Sequence, residues 1–232
     1  MELNKFIIKI KDQKYYFFYK KNKKKDDSKY FQGILSGKVY KKINLDYKIN
    51  IILDIGANVG STSIFFSINY PQSTIFSFEP VTETYEILKK NISNFNNIHS
   101  YKYAISDKDD FQRIYIDENR LGRSSLIKKH RNMENTNTEI VQLVNLNSFL
   151  RNNNIEKIDI LKIDCEGSEV EILESIKTKL DKIALIYIEI HGEEKIEYLT
   201  KLLSKTHNEI AASDYIDLRE SIFINKIFKT KL

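Results

Sequence analysis

Ile51-Ile52-Leu53-Asp54-Ile55-Gly56-Ala57-Asn58-Val59-Gly60-Ser61 is the stretch that decides the fold. An apolar run carrying one acid passes through a turn bounded by two glycines and enters a helix-like segment. Glycines let backbone approach a ligand closely, and the helix start offers free N–H groups. Gly56, Ala57, Asn58 and Gly60 are therefore candidate ligand-cradling residues. Asp54 is placed to accept a bond from an ammonium or hydroxyl group. About 20 residues on, a second apolar run ends in Glu79-Pro80, where an acid can accept bonds from both hydroxyls of a ribose. These features fit either a dinucleotide or an adenosine-based sulfonium cofactor. A dinucleotide fingerprint needs a middle glycine facing the pyrophosphate, and that position here is Asn58. The spacing favours a cofactor without a pyrophosphate.

Working outward, strands are expected at residues 49–54, 74–79, 100–104, 158–164 and 183–191, each rich in Ile, Leu, Phe or Tyr. Helices are expected between them at 61–69, 83–93, 148–152, 169–180 and 193–204. In the 169–180 segment Val170, Ile172, Leu173, Ile176 and Leu180 form an apolar stripe. Such alternation predicts an α/β fold with a doubly wound, mostly parallel sheet. Residues 111–116 and 139–144 interrupt the rhythm as two strands around a polar, basic loop. Residues 209–212 and 222–228 read as a hairpin closing the sheet edge. Before the first core strand, 5–10 and 15–19 read as two strands and 29–35 as a short helix. The division is thus a β/α cap or extension at 1–48 and a core at 49–232.

The remaining signatures all fall at carboxyl ends of strands, where ligands bind in an open α/β sheet. Ala104-Ile105-Ser106-Asp107 offers backbone N–H groups and an acid to an adenine ring. Lys162-Ile163-Asp164-Cys165-Glu166-Gly167 closes the fourth strand, and Glu189-Ile190-His191-Gly192 the fifth.

On these residues the chain resembles the FkbM family of S-adenosylmethionine-dependent methyltransferases. The resemblance runs from about Ile51 to His191 through Asp54-Ile-Gly-Ala-Asn-Val-Gly60, Phe78-Glu79-Pro80, Leu88-Lys-Lys-Asn91, Ala104, Asp107, Leu161-Lys-Ile-Asp-Cys-Glu-Gly167 and Glu189-Ile-His191. It implies the class I methyltransferase (Rossmann-like) fold, a seven-stranded sheet with its last-added strand antiparallel. It also implies transfer to a hydroxyl group, with sugars of surface glycans and secondary metabolites as family substrates. The family commonly has Leu-Asp where this chain has Leu146-Asn147, and Asn147 can serve as the helix cap expected there. Residues 1–48 lie outside the resemblance.

Asp164, Glu166, Glu189 and His191 are the candidate catalytic residues. Within each pair the residues are two apart, so in extended chain their side chains share a face. In the common methyltransferase strand order the two pairs converge. His191 could accept the acceptor's proton with an acid orienting its other nitrogen. Alternatively the four could hold a divalent cation that lowers the acceptor's pKa; the metal-free reading is favoured. Lys162, inside a parallel strand, requires a carboxylate partner, Asp164 or Asp54. Cys165 is read as packing. The loop from Asn119 to Arg131 carries five cationic residues and reads as a substrate lid. Arg120, Arg123 and Ser124 in it are candidates for binding a phosphate- or nucleotide-linked acceptor.

Composition sets limits around this reading. The single cysteine, Cys165, excludes an internal disulfide framework and a cysteine zinc cluster. The net charge of +5 is concentrated in residues 20–25, five lysines in six positions, which reads as a solvated turn. No apolar run approaches the roughly 20 residues of a membrane span. Lys9, Lys11 and Lys14 interrupt a signal-like N-terminus, giving a cytoplasmic expectation. An RNA methyltransferase is the competing reading. Against base-amino methylation, the loop after the fourth strand lacks an Asn/Asp-Pro-Pro-aromatic pattern. A nicotinamide oxidoreductase is opposed by Asn58.

Overall fold

The computed structural model describes residues 2–10, 12–21, 27–117, 124–127, 137–215 and 218–228. In chain order the elements are β1 (Leu3–Ile10), β2 (Gln13–Lys20), α1 (Ser28–Leu35), β3 (Ile51–Ile55), α2 (Ser61–Asn69), β4 (Thr74–Phe78), α3 (Thr82–Ile92), β5 (Ile98–Tyr101), β6 (Ala104–Ser106), β7 (Asp110–Ile116), β8 (Asn137–Asn145), α4 (Leu146–Asn152), β9 (Ile158–Ile163), α5 (Glu169–Ser175), β10 (Ile183–His191), α6 (Glu193–Leu203), β11 (His207–Tyr215) and β12 (Leu218–Asn225).

Seven strands form the main sheet in the order β11-β12-β10-β9-β3-β4-β5. β10, β9, β3, β4 and β5 pair parallel, while β12, last in the chain, runs antiparallel to β10. The chain steps outward from β3 through β4 to β5, then returns to β9 and β10 on the other side. The switch in strand order therefore lies between β3 and β9, where a ligand crevice forms.

Alternation along the strands assigns the two faces. Ile52, Ile160, Leu185 and Tyr187 join α2, α3 and the N-terminal segment in one core. Leu53, Ile55, Leu161, Ile163, Ile186 and Ile188 join α4, α5 and α6 in the other. The β1–β2 hairpin and α1 share the first core: Phe17 and Phe31 rings lie 5.4 Å apart, Tyr19 and Phe31 5.6 Å. Asn91 of α3 ties this segment to the glycine turn. Its Oδ1 accepts from Phe18 N (2.7 Å), and its Nδ2 donates to the carbonyls of Phe18 and Val59 (2.8 Å each).

Three expectations are corrected. The strand expected at 100–104 divides: β5 ends at Tyr101, and Ala104 opens β6, which pairs parallel with β8 in a separate β6-β8-β7 sheet. The helix expected at 169–180 stops at Ser175 and continues as a 3-10 turn, Lys177–Lys182. The cap of α4 is Asn145, whose side chain accepts from Ser148 N (3.1 Å). Asn147 instead donates to Ser175 O (2.6 Å), so it braces α4 against α5. No helix among the described residues is long and apolar enough to cross a membrane.

Candidate active site

The turn after β3 is shaped by one close approach. Gly56 has φ +75°, and a Cβ there would lie 1.8 Å from the Asp164 carbonyl oxygen, so only glycine lets β3 and β9 end side by side. The N–H groups of Gly56 and Ala57 both donate to Phe78 O (3.1 and 2.9 Å). Asn58 adopts φ +49°, and Gly60 starts α2 at φ +90°. Glu79 faces this turn from the end of β4, accepting from Asn58 N (3.1 Å) and Val81 N (3.0 Å). Burial pushes its carboxyl up to about 7, against the pull of those two bonds.

A cavity of about 680 Å³, counting its open mouth, lies beyond these groups. It brings together Gly56, Asn58, Glu79, Pro80, Ala104, Ile105, Ser124, Asp164 and Glu166 of the residues anticipated from sequence. Tyr103, Ile114, Leu126 and Cys165 complete an apolar wall suited to an aromatic base. Asn58 Oδ1 is buried without a hydrogen-bond partner among the described residues. An acceptor atom left so at a pocket wall, beside a backbone cradle and an acid, fits a ligand with amino and ribose donors.

Other anticipated cofactor residues lie around the cavity rather than in its lining. Asp54 is fully buried behind the turn: Ser63 Oγ donates to its Oδ2 (2.5 Å), and Lys162 Nζ lies 3.2 Å from its Oδ1. Ala57 and Gly60 shape the turn, with Gly60 N donating to Ala57 O (2.8 Å). Ser106 Oγ donates to the exposed Asp107 (3.0 Å), whose carbonyl is engaged by Asn145. Arg120 and Arg123 lie outside the described residues.

Lys162 has the partners its burial demands. Asp54 lies at 3.2 Å and Asp164 at 3.5 Å, while the Ile55 and Gly56 carbonyls accept at 3.2 and 2.7 Å. Burial favours the neutral amine, but these two carboxylates outweigh it and hold Lys162 charged.

Behind Asp164 and Glu166 the β9 and β10 termini converge, with Glu189 and His191 outside the cavity's lining. His191 is fully buried; its Nε2 lies 3.1 Å from Glu189 Oε1 and 3.4 Å from Glu166 Oε2. Its Nδ1 pairs with Glu169 Oε1 at 2.8 Å. Burial favours neutral imidazole, yet the Glu169 and Glu189 carboxylates push its pKa up to about 10. His191 is therefore an imidazolium at neutral pH. Asp164 is pushed up to about 7, first by burial and then by Glu189, with Lys162 and His191 opposing. Its side chain remains 22% exposed, so it is reachable from the cavity. Asp164, Glu189 and His191 each offer one ligand atom within 4.8 Å of the others. That spacing suits the divalent-cation alternative as well: with Glu169 on Nδ1, the Nε2 atom is the one that faces Glu189.

Glu169, a member of this cluster, was not revealed by the sequence, since an acid in a helix's first turn is ordinary dipole complementation. Tyr40 and Tyr30 also lie near these acids without having stood out in the sequence. The Tyr40 ring packs edge-on against Tyr187 at 6.1 Å. Burial, then Asp164, pushes the Tyr40 phenol well above its ordinary value. Desolvation, then Asp164, Glu189, Glu220 and Glu166, does the same to Tyr30, although the residue is 44% exposed. The segment preceding β3 thus places two phenols beside the acidic end.

Comparison with known proteins shows a family and a fold. The Methyltransferase FkbM domain matches residues 54–216. Methyltransferase sdnD of Sordaria araneosa is 26% identical over 60% of this chain and 68% of its own length. The 2-O-methyltransferase NoeI of Sinorhizobium fredii is 26% identical over 63% of this chain and 65% of its own. The hexuronic acid methyltransferase AglP of Haloferax volcanii is 21% identical, covering 67% and 62% respectively. The chain thus spans about two thirds of these relatives. Among solved structures, the fibrillarin pre-rRNA processing protein of Methanococcus jannaschii superposes with a TM-score of 0.55 at 14% identity, over 96% of this chain and 83% of that one. That likeness concerns the fold alone.

Proposed function

The chain belongs to the FkbM methyltransferase family, and from that premise we propose that this S-adenosylmethionine-dependent methyltransferase acts on a hydroxyl of a sugar or glycan precursor. The observation that carries the reading is the position of Asp164. It lines the cofactor cavity and also stands among the acids and His191 behind it. A group in that place can address an acceptor oxygen held next to a cofactor's reactive end. Two relatives point the same way, one named for a hexuronic acid and the other for 2-O-methylation.

The cofactor when bound supplies an electrophilic methyl group on a sulfonium centre. Glu79 would hold the ribose hydroxyls, Asn58 Oδ1 would accept from a donor at the turn, and Tyr103, Ala104 and Ile105 would flank the base. Asp164 accepts the proton of the acceptor hydroxyl. With a pKa near 7 it is substantially ionised at neutral pH yet basic enough to help, a role worth roughly 10²–10⁴-fold. Positively charged His191, oriented by Glu169, holds Glu189 and Glu166 in place beside it. Alignment of the acceptor contributes more, since effective molarities in well-held geometries reach about 10⁵–10⁸ M.

Carboxylates at this end suit neutral hydroxyl donors, and they oppose a polyanionic acceptor such as RNA. A phosphate- or nucleotide-linked sugar requires its anionic part to lie elsewhere, and Arg120 and Arg123 are the residues proposed for it. Calorimetric titration with S-adenosylhomocysteine beside a nicotinamide dinucleotide tests the cofactor; only the former is expected to bind. Mass spectrometry of neutral, uronic and nucleotide-linked sugars incubated with S-adenosylmethionine tests the acceptor. A gain of one methyl on an RNA panel, and on no sugar, would overturn the reading.

A further inference from the structure

One wall of the cavity is formed by residues 124–127, through Ser124 and Leu126. A two-bond bridge fastens this segment to β7: Tyr115 N donates to Ser125 O (2.9 Å) and Ser125 N to Tyr115 O (3.0 Å). Gln112 Nε2 adds a bond to Leu126 O (3.2 Å). Ser125 is buried, and its hydroxyl reaches across to a different part of the site. Ser125 Oγ donates to the Glu166 carbonyl at 2.6 Å and accepts from Ile127 N at 3.1 Å.

The Glu166–Gly167 peptide needs such support. Glu166 sits at φ +54°, a left-handed conformation that strains a residue with a Cβ. The strain persists only where the surroundings over-determine it. Here both polar atoms of the peptide are held, and so is the Gly167 carbonyl just beyond it. Ser125 takes the Glu166 carbonyl, Glu169 Oε1 accepts from Gly167 N (2.8 Å), and Lys195 Nζ donates to Gly167 O (2.6 Å). That Glu169 oxygen also pairs with His191 Nδ1, and Glu166 Oε2 lies 3.4 Å from His191 Nε2. One peptide plane therefore joins the cavity wall to the acid–histidine cluster.

We propose that Ser125 is a positioning residue whose hydroxyl couples the wall over the cofactor cavity to the Glu166–Gly167 peptide, so that a ligand holding residues 124–127 in place also fixes Glu166 against His191. The inference rests on the cofactor reading of the cavity. A wall free to move would release the strained turn, and a filled cavity would lock it. Cofactor binding would then assemble the acceptor end before an acceptor arrives.

The test uses the full chain with S-adenosylhomocysteine as probe, read by calorimetry and by hydrogen exchange with mass detection. In the wild type the ligand is expected to slow exchange at both 124–127 and 166–168. Ser125→Ala should bind about 10-fold more weakly. At saturating ligand it should still protect 124–127, while 166–168 exchanges at least about 10-fold faster than in wild type. Ser125→Thr, which keeps the hydroxyl, should restore both readouts to within about 3-fold. A purely structural serine would instead lower the melting temperature without separating the two segments. Gln112→Ala loosens the wall without touching Glu166, and it should raise exchange at 166–168 in the ligand-free protein. This last measurement stands even if Ser125→Ala fails to fold. Equal protection of 166–168 in wild type and Ser125→Ala, or no response to Gln112→Ala, overturns the proposal. Failure of the wild type itself to bind the probe removes the cofactor reading, and the proposal with it.

Discussion

The cavity and the charge cluster behind it are built from different materials. The cofactor end is backbone: Gly56 and Ala57 amides on Phe78 O, left-handed Asn58, and one acid receiving two N–H groups. The acceptor end is side-chain charge collected from distant elements, with His191 among Glu166, Glu169 and Glu189. Backbone geometry tolerates almost no added atom, whereas a charge cluster tolerates substitution but changes its chemistry. The two ends should therefore fail differently.

The sharpest contrast comes from Gly56→Ala. A Cβ 1.8 Å from a backbone oxygen, at φ +75°, forces β3 and β9 apart. Binding of S-adenosylhomocysteine should fall at least about 100-fold or the chain should fail to fold, as calorimetry and thermal melting will show. Wild-type affinity in this variant would break the comparison at its base. At the other end, Asp164→Asn should lower kcat by roughly 10²–10⁴ while S-adenosylhomocysteine affinity stays within about 3-fold. The wild-type kcat should rise as pH passes through about 7, because Asp164 accepts a proton only when ionised. A kcat that is flat through that range would remove Asp164 from the proton-accepting role.

Glu79 tests the boundary between the two materials, being a charge that serves the cofactor end. Burial raises its carboxyl from 4.5 to about 7, so the folded, ligand-free protein holds a proton there that the unfolded chain has released. The sign follows from linkage: this group's contribution makes stability fall as pH rises from about 4.5 to 7, by on the order of 3 kcal/mol in total. Ligand affinity should move the other way, since ribose hydroxyls donate best to the ionised acid. Titrations at pH 6 and 8 should show tighter S-adenosylhomocysteine binding at the higher pH. Glu79→Gln should bind about 10-fold more weakly at pH 8 and lose most of the pH dependence.

The same contrast explains what could be read from the chain. The turn from Gly56 to Gly60 was legible because its geometry lies in contiguous backbone, and contiguous residues declare it. The partners of Lys162 were legible because a buried lysine must be paired, and its strand neighbours carry acids. Glu169 was not, because nothing local distinguishes an acid that caps a helix from one that grips a histidine 22 residues later. The end of β5 was misplaced because Tyr101-Lys102-Tyr103-Ala104 continues an apolar rhythm. Only pairing of Ala104 with Leu143 shows the chain leaving for a second sheet.

The smallest effect expected is also the one that extends the acceptor end beyond the matched domain. Tyr30 and Tyr40 belong to a segment that precedes residue 54, where the family match begins, yet both phenols feel Asp164 and Glu189. Tyr40 is packed against Tyr187 and serves the fold, whereas Tyr30 is 44% exposed. An exposed ring above carboxylates can present an apolar surface to one face of a sugar. Tyr30→Ala should therefore raise the KM of a sugar acceptor about 3–10-fold, the loss of one ring contact, and leave cofactor affinity unchanged. Tyr30→Phe keeps the ring and should lie within about 2-fold of wild type, since the ring rather than the phenol is the surface offered to the sugar. If phenylalanine is as damaging as alanine, the phenol's hydrogen bond rather than its ring is what the acceptor meets. If neither changes KM, the acceptor enters without touching this segment, and the acid–histidine cluster alone defines the acceptor end.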